Sequence, residues 1–149
     1  MLVVEIFNHN LNFKTPGGTS RGILKNKLTW YIKIYYGNKP SVYGLGECGP
    51  IEGLSIESGN KMMNQLKKVQ KSINDLSSLD LSLFPSIQFG IESALRDLKN
   101  GGKRIIFQNS FLDGKPIKIN GLIWMGNKDF MINQIKSKIE KGFSCLKLK

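Results

Sequence analysis

Two lysines, Lys147 and Lys149, stand near the end of the 149-residue chain and are separated by one apolar residue in a strand-like segment. Side chains alternate along a strand, so both amines point to one face while Leu148 points to the other. Two ammonium groups held close together destabilise each other, which makes one of them a better base. Such a pair could remove a proton from carbon, although two solvated lysines are the commoner outcome for an isolated Lys-x-Lys.

The segments around these lysines predict a β-α-β unit. The apolar run "IKINGLIWMG" is typical of a strand covered on both faces. Asn127 can cap a helix through "KDFMINQIKSKIEKG", with Ile132, Ile135 and Ile139 facing inward and Gly142 as the stop. "FSCLKLK" is the second strand, expected to lie parallel to the first. One such unit cannot cover its own sheet, so we expect the beginning of a β/α barrel that was cut short.

The first third of the chain predicts an antiparallel meander of about three strands. The strands lie in "LVVEIFNHNL", "KLTWYIKIYY" and "SVYGLGEC", and alternation places Trp30, Ile32 and Ile34 on a half-buried face. The first connection, "FKTPGGTSRGIL", is rich in Pro, Gly, Thr and Ser and is expected to be a mobile loop. A second loop is expected at "GPIEGLSIESG".

Two amphipathic helices follow the meander. The first begins near Asn60, and the second begins at Pro85 and ends at Gly101 and Gly102. Apolar residues recur at helical spacing in both: Met62, Leu66, Val69, Ile73 and Leu76, then Ile87, Ile91, Ala94, Leu95 and Leu98. The expected fold is therefore α+β, with a capping domain over residues 1–117 and the start of a barrel over residues 118–149.

The formal charge of +11 raises a nucleic-acid alternative. The basic residues are nearly all lysines and are spread along the chain, and the densest cluster, "LKKVQK", is expected to be a solvated helix face. A small basic nucleic-acid-binding module without catalysis is therefore the weaker alternative. The chain shows no signal peptide and no apolar run long enough for a bilayer, so the cytoplasm and no membrane partner are expected. Cys48 and Cys145 are expected to be buried small hydrophobes.

Three stretches carry a resemblance to the enolase superfamily, muconate-lactonizing subgroup. "GLGECGPIEGLS" is similar to a signature that follows the third strand of the capping domain, and "FPSIQFGIESALRDL" resembles the helix of that domain. "INGLIWMG" with the final "GFSCLKLK" resembles the first barrel strand and the Lys-x-Lys motif at the end of the second. The resemblance implies an enolase-type N-terminal capping domain followed by the first β-α-β unit of a truncated β/α barrel.

The resemblance implies an Mg²⁺-dependent enzyme that acts on a small carboxylate. The match is closest to the amino-terminal part of the dehydratases that form o-succinylbenzoate, on the way to menaquinone. N-succinylamino acid racemases and dipeptide epimerases of the same superfamily remain alternatives. Lys149 is assigned the acid/base role and Lys147 a supporting electrostatic role. Ser20 and Arg21 of the first loop and Leu54 of the second are assigned to substrate binding.

The metal ligands implied by the resemblance would lie beyond Lys149, and no metal-ligating residue is assigned here. The chain alone is therefore expected to bind no catalytic Mg²⁺ and to be inactive. Strands exposed by truncation are expected to favour self-association.

Overall fold

The computed structural model describes residues 1–19, 22–57 and 59–148, with Thr19 described by its backbone only. The chain forms two compact units. The first comprises Met1–Leu11 and Lys27–Gln108, and the second comprises Asn12–Asn26 and Asn109–Lys149. The domain boundary expected between residues 117 and 118 stays a prediction.

Three strands form the predicted antiparallel meander: β1 (Leu2–Thr19), β2 (Gly22–Tyr36) and β3 (Tyr43–Cys48), in the sheet order β1-β2-β3. Trp30 lies opposite Cys48 in the register of β2 and β3. The prediction of a loop is wrong for residues 13–19 and 22–24, which continue β1 and β2. Pro16 is tolerated because β1 is an outer strand, where a missing amide hydrogen leaves no central ladder bond unmade.

The first unit contains two helices, α1 (Gly59–Ser72) and α2 (Pro85–Lys99), with a 3₁₀ turn at Leu76–Ser78 between them. The start of α2 at Pro85 confirms the prediction, because the fixed φ of proline suits a first helical position. One face of β2 and the apolar stripes of the helices form the core. Its most completely buried members include Ile32, Ile34, Met62, Leu66, Val69 and Ile87.

Helix α2 lies so close to β3 that glycine is required at the contact. A Cβ atom on Gly46 would lie 1.8 Å from the carbonyl oxygen of Gly90, and one on Gly44 would lie 1.8 Å from that of Ala94. Both obstacles are backbone atoms, which cannot rotate away. The two glycines therefore fix the distance between helix and sheet.

A buried carboxylate connects α2 to the sheet and to the segment after the helix. Asp97 accepts hydrogen bonds from the backbone amides of Leu45 (3.0 Å) and Arg104 (2.6 Å) and forms an ion pair with the Arg104 guanidinium. Arg104 has a left-handed backbone, with φ of 62°, and its guanidinium lies over the Tyr43 ring. These contacts fix where the chain leaves α2.

The second unit contains the predicted β-α-β arrangement: β4 (Gly121–Ile123), α3 (Lys128–Glu140) and β5 (Leu146–Leu148), with the two strands parallel. Asn127 caps α3 as predicted, since its Oδ1 accepts from the Phe130 amide at 2.9 Å. Both strands are shorter than expected. The inward position expected for Ile139 is wrong, because its side chain is 59% exposed and no described residue of α3 is buried.

The two cysteines differ in environment. Cys48 is buried against α2, as expected. Cys145 is exposed, so the prediction of a buried thiol is wrong at this position. It precedes the short strand β5, where its carbonyl oxygen accepts from the Gly121 amide but the small sheet does not cover its side chain.

Candidate functional site

Lys147 lies on the face of the β4-β5 sheet opposite α3. A Cβ atom on Gly121 would lie 3.2 Å from the Cβ of Lys138 on α3, so Gly121 faces the helix. Leu122 and its register partner Lys147 follow Gly121 and Leu146 in their strands, and alternation turns them to the other face. In a β/α barrel, the face away from the helices is the interior. The Lys147 side chain is exposed, and its supporting role stays a prediction.

Three of the predicted site residues, Lys149, Ser20 and Arg21, lie outside the described residues. The acid/base role of Lys149 and the substrate contacts of Ser20 and Arg21 therefore stay predictions. The segments that flank Ser20 and Arg21, residues 12–19 and 22–26, are described and belong to the second unit.

The end of β1, which precedes Ser20 and Arg21 in the sequence, contacts the carboxyl end of β4. A Cβ atom on the buried Gly17 would lie 3.4 Å from Cζ3 of Trp124, and one on Gly18 would lie 3.5 Å from the Met125 carbonyl oxygen. Trp124 follows β4 directly. Barrel enzymes place their active sites at the carboxyl ends of the strands. The stem of the predicted substrate loop thus lies at the end of the strand where such a site would be built.

The backbone of Trp124 is fixed by a residue that the sequence reasoning missed. The Gln134 side chain accepts from the Trp124 amide through Oε1 at 2.9 Å and donates to its carbonyl oxygen through Nε2 at 3.0 Å. Gln134 lies on α3, so the helix holds the end of β4 at both backbone polar groups. A glutamine inside a helix carries no sequence pattern that marks this contact.

Leu54 belongs to the first unit, whereas Lys147 belongs to the second. Its amide donates to the Ile51 carbonyl oxygen at 3.0 Å, and Ser55 closes the same turn through its own amide and its hydroxyl. The Leu54 side chain is 44% exposed, so it is available to a ligand. Its role in substrate binding stays a prediction.

Glu47 makes contacts within the first unit. Its Oε1 accepts from the buried Thr29 hydroxyl at 2.6 Å and lies 3.5 Å from the Lys27 amine. These contacts join β2 to β3. Burial raises the pKa of the neighbouring Cys48 thiol to about 12, with smaller contributions from Glu57 and Glu47, so this thiol is a poor nucleophile.

The described residues form no cluster of metal-ligating side chains. Across residues 1–19, 22–57 and 59–148, no group of three or more His, Cys, Asp or Glu side chains could hold an ion. Mg²⁺ binds oxygen ligands, in proteins commonly carboxylates together with water. In the same ranges, no helix is long and apolar enough to cross a membrane.

No profile of a known protein family matches the chain. The o-succinylbenzoate synthase of Desulfotalea psychrophila (strain LSv54 / DSM 12343) is 32% identical to it, over 94% of this chain and 47% of that protein. The crystal structure of MenC from Desulfotalea psychrophila LSv54 superposes with a TM-score of 0.78 and 27% identity, and covers 99% of this chain and 48% of its own.

A more distant solved structure shares the fold. The o-succinylbenzoate synthase of Thermosynechococcus elongatus BP-1, complexed with Mg in its active site, has a TM-score of 0.69 and 16% identity, over 98% of this chain and 42% of its own.

A dipeptide epimerase from Cytophaga hutchinsonii, complexed with Mg and D-Ala-L-Val, has a TM-score of 0.69 and 22% identity. That match covers 99% of this chain and 44% of the epimerase. The chain thus spans about half the length of the relatives that it matches. Over that half, it is similar to o-succinylbenzoate synthase, and its fold is that of an enolase-type capping domain with the first β-α-β unit of the barrel.

Proposed function

We propose that this chain forms the capping and first barrel elements of an o-succinylbenzoate synthase, a carbon–oxygen lyase of menaquinone biosynthesis. The observation that carries this proposal is the 32% identity to the Desulfotalea psychrophila enzyme over 94% of the chain. A cytoplasmic location and a small carboxylate substrate belong to the same proposal. The nucleic-acid alternative has no support in the comparisons.

The proposed reaction is a syn-dehydration of a cyclohexadiene carboxylate that carries succinyl and hydroxyl groups. Lys149 takes the proton α to the carboxylate, and its ammonium then gives that proton to the hydroxyl, which departs as water from the same side of the ring. The ring becomes aromatic, which favours the product. From strand alternation in the sequence we expect Lys147 to point to the same face as Lys149, where its positive charge would make Lys149 a better base.

We assign Ser20, Arg21 and Leu54 to substrate binding. The hairpin stem at Gly17 contacts Trp124, at the carboxyl end of β4, which supports a position for Ser20 and Arg21 near a barrel site. A guanidinium at Arg21 suits the carboxylate of the substrate through paired hydrogen bonds. The exposed Leu54 would contact its apolar part.

Mg²⁺ is part of the proposal for the whole enzyme, where it would stabilise negative charge on the substrate carboxylate. The described residues offer no group of carboxylates to hold it, so no step is assigned through the metal in this chain. We infer that the chain by itself has no dehydratase activity.

A covalent chimera tests the proposed function. Residues 1–149 would be joined to the part of the Desulfotalea psychrophila protein that the match does not cover, and Mg²⁺-dependent formation of o-succinylbenzoate would be measured. A folded chimera that forms the product supports the proposal. A chimera that folds and binds Mg²⁺ but forms no product contradicts it.

Epimerisation is the second candidate, because a dipeptide epimerase superposes on the chain as well as one of the synthases does, at TM-scores of 0.69 and 0.69. Both reactions begin with removal of a proton α to a carboxyl group. The same chimera would be offered an N-succinylamino acid and a dipeptide such as L-Ala-L-Glu. Exchange of the α-hydrogen with solvent deuterium, without dehydration of the cyclohexadiene substrate, would favour this alternative.

A further inference from the structure

Glu57 is a buried acidic residue at the end of the 49–57 loop, which follows β3. Its side chain is 2% exposed, whereas the rest of this loop is exposed or half-buried. A carboxylate leaves water at a high cost unless contacts within the protein compensate it. The contacts of Glu57 therefore indicate what its side chain does.

The partner of Glu57 is the first available amide of helix α2. Phe84 occupies the N-cap position, where its side chain makes no capping hydrogen bond, and the first helical residue, Pro85, has no amide hydrogen. Oε1 of Glu57 accepts from the next amide, that of Ser86, at 2.8 Å. A carboxylate also suits the positive end of the helix dipole. Glu57 thus supplies, from another segment, the cap that α2 lacks in its own sequence.

Two further polar atoms of this contact have no partner among the described residues. They are Oε2 of Glu57 and the hydroxyl oxygen of Ser86, and both atoms are buried. Buried polar atoms without hydrogen bonds lower stability. The favourable part of the contact is therefore the hydrogen bond of Oε1, which depends on the length of the Glu57 side chain.

The 49–57 loop presents apolar side chains between two points of attachment. Leu54 is 44% exposed and Ile56 is 68% exposed. At the beginning of the loop, the Lys27 amine lies against Gly49, since a Cβ atom on this glycine would meet it. At the end of the loop, Glu57 binds α2 three residues after Leu54. The contact of Glu57 with the helix therefore helps to determine where Leu54 lies.

We propose that Glu57 is a positioning residue for substrate binding. Its carboxylate holds the 49–57 loop on the amino end of α2 and thereby places Leu54 against the apolar part of a small carboxylate substrate. This inference rests on the proposed function, which assigns Leu54 to the substrate. Because Leu54 would contact a part of the substrate that does not react, its position affects KM more than kcat.

Two conservative variants separate the length of the side chain from its charge. Glu57→Gln keeps an oxygen that reaches the Ser86 amide, and its new amide group can donate to the Ser86 hydroxyl. Glu57→Asp keeps the charge but is shorter by a methylene group. We expect exchange of the hydrogen-bonded amides of Leu54, Ser55 and Ser86 to become about tenfold faster in Glu57→Asp and to stay unchanged in Glu57→Gln. The control is Glu52→Asp, the same change at an exposed position of the loop, which should leave this exchange unchanged.

The same variants in the covalent chimera test the effect on substrate binding. We expect Glu57→Asp to raise KM for the cyclohexadiene carboxylate about tenfold while kcat changes by less than about threefold, and Glu57→Gln to keep both values. Leu54→Ala should raise KM by a similar factor. Because Glu57 acts through Leu54, the double variant Glu57→Asp/Leu54→Ala should have a KM no higher than that of the weaker-binding single variant.

Three results would overturn the inference. One is loop exchange in Glu57→Asp that is as slow as in the native chain. Another is a Glu57→Gln variant that loosens the loop as much as Glu57→Asp does, which would assign the effect to charge. The third is a chimera that forms product and in which Glu57→Asp leaves KM unchanged. A folded chimera that binds Mg²⁺ but forms no product contradicts the proposed function instead, and the exchange experiment still decides whether Glu57 holds the loop.

Discussion

The side chain of Gln134 holds the backbone of Trp124 at two points, with Oε1 2.9 Å from the amide nitrogen and Nε2 3.0 Å from the carbonyl oxygen. An amide side chain satisfies both polar groups of one residue here, just where the chain leaves β4. Because the Trp124 ring lies beside Gly17, the same contact also fixes the stem of the predicted substrate loop.

Replacement of Gln134 by Leu should loosen the end of β4. Both hydrogen bonds are lost while most of the side-chain volume stays, and each bond contributes about 1 kcal/mol. We expect amide exchange at residues 121–125 to become about tenfold faster. The matched control is Gln88→Leu, which removes a bond to Glu92 on an exposed face of α2 and should leave those amides unchanged. Equal rates of amide exchange at residues 121–125 in the two variants would show that the Gln134 contact does not stabilise the end of β4.

Gly46→Ala should strongly destabilise the first unit. The new methyl group would meet the carbonyl oxygen of Gly90 at 1.8 Å, so β3 and α2 must separate. We expect a loss of about 3 kcal/mol in the free energy of unfolding, measured by urea denaturation. Gly37→Ala is the control, because its methyl group would make only ordinary contacts, with the Val3 side chain at 3.5 Å and the Met1 carbonyl oxygen at 3.8 Å. A Gly46→Ala variant as stable as this control would refute the close approach.

Asp97→Asn should weaken the connection between α2 and the sheet. Its carboxylate accepts from two backbone amides and the Arg104 side chain while fully buried, and an Asn amide group turns a donor towards those donors. We expect a loss of about 2–3 kcal/mol in urea denaturation. The exposed Asp80, which accepts from the Ser82 amide, provides the control variant Asp80→Asn. Asp80→Asn should lower the free energy of unfolding by well under half as much as Asp97→Asn does. Equal losses in the two variants would argue against a buried structural role for Asp97.

The two thiols should differ in reactivity. Cys145 is exposed and Cys48 is buried, with its pKa raised to about 12. A chromogenic disulfide reagent at pH 8 should therefore label one thiol of the native chain and two after denaturation. Rapid labelling of both thiols in the native chain would contradict the burial of Cys48.

Alkaline pH should destabilise the first unit through Cys48. In the unfolded chain this thiol ionises above about pH 8.5, whereas in the folded chain it keeps its proton until about pH 12. The unfolded state therefore binds fewer protons in this window, and stability falls as pH rises, by about 1 kcal/mol per pH unit. Cys48→Ala should lack this contribution, so its urea midpoint should fall less steeply. An equally steep fall of the urea midpoint with pH in the native chain and in Cys48→Ala would contradict the raised pKa of Cys48.

Residue types near each helix start were sufficient to predict where α2 and α3 begin. Pro85 at the start of α2 and Asn127 at the cap of α3 both follow from backbone preferences that act within a few residues. The prediction of a loop was wrong for residues 13–19 and 22–24 because its Pro and Gly content predicts turns, whereas β1 and β2 continue over these residues. Gln134 and the buried role of Asp97 depend on contacts between distant segments, which composition and periodicity do not report.

For the candidate site, the sequence predicted that Lys147 lies on a strand parallel to the strand in "IKINGLIWMG". The structure confirms this, because β5 pairs with β4 in parallel. The exposure of Ile139 was not predicted, because helical spacing identifies an apolar face but not whether a neighbour covers it.

The central claim is that Lys149 is the base of an enolase-superfamily enzyme. It is tested most directly by the rate of o-succinylbenzoate formation in the covalent chimera carrying Lys149→Ala, compared with the chimera carrying Lys136→Ala on α3. We expect Lys149→Ala to lower kcat by about 10²–10⁴-fold and Lys136→Ala to leave it unchanged. A Lys149→Ala chimera that dehydrates its substrate as fast as the unmodified chimera would contradict the account.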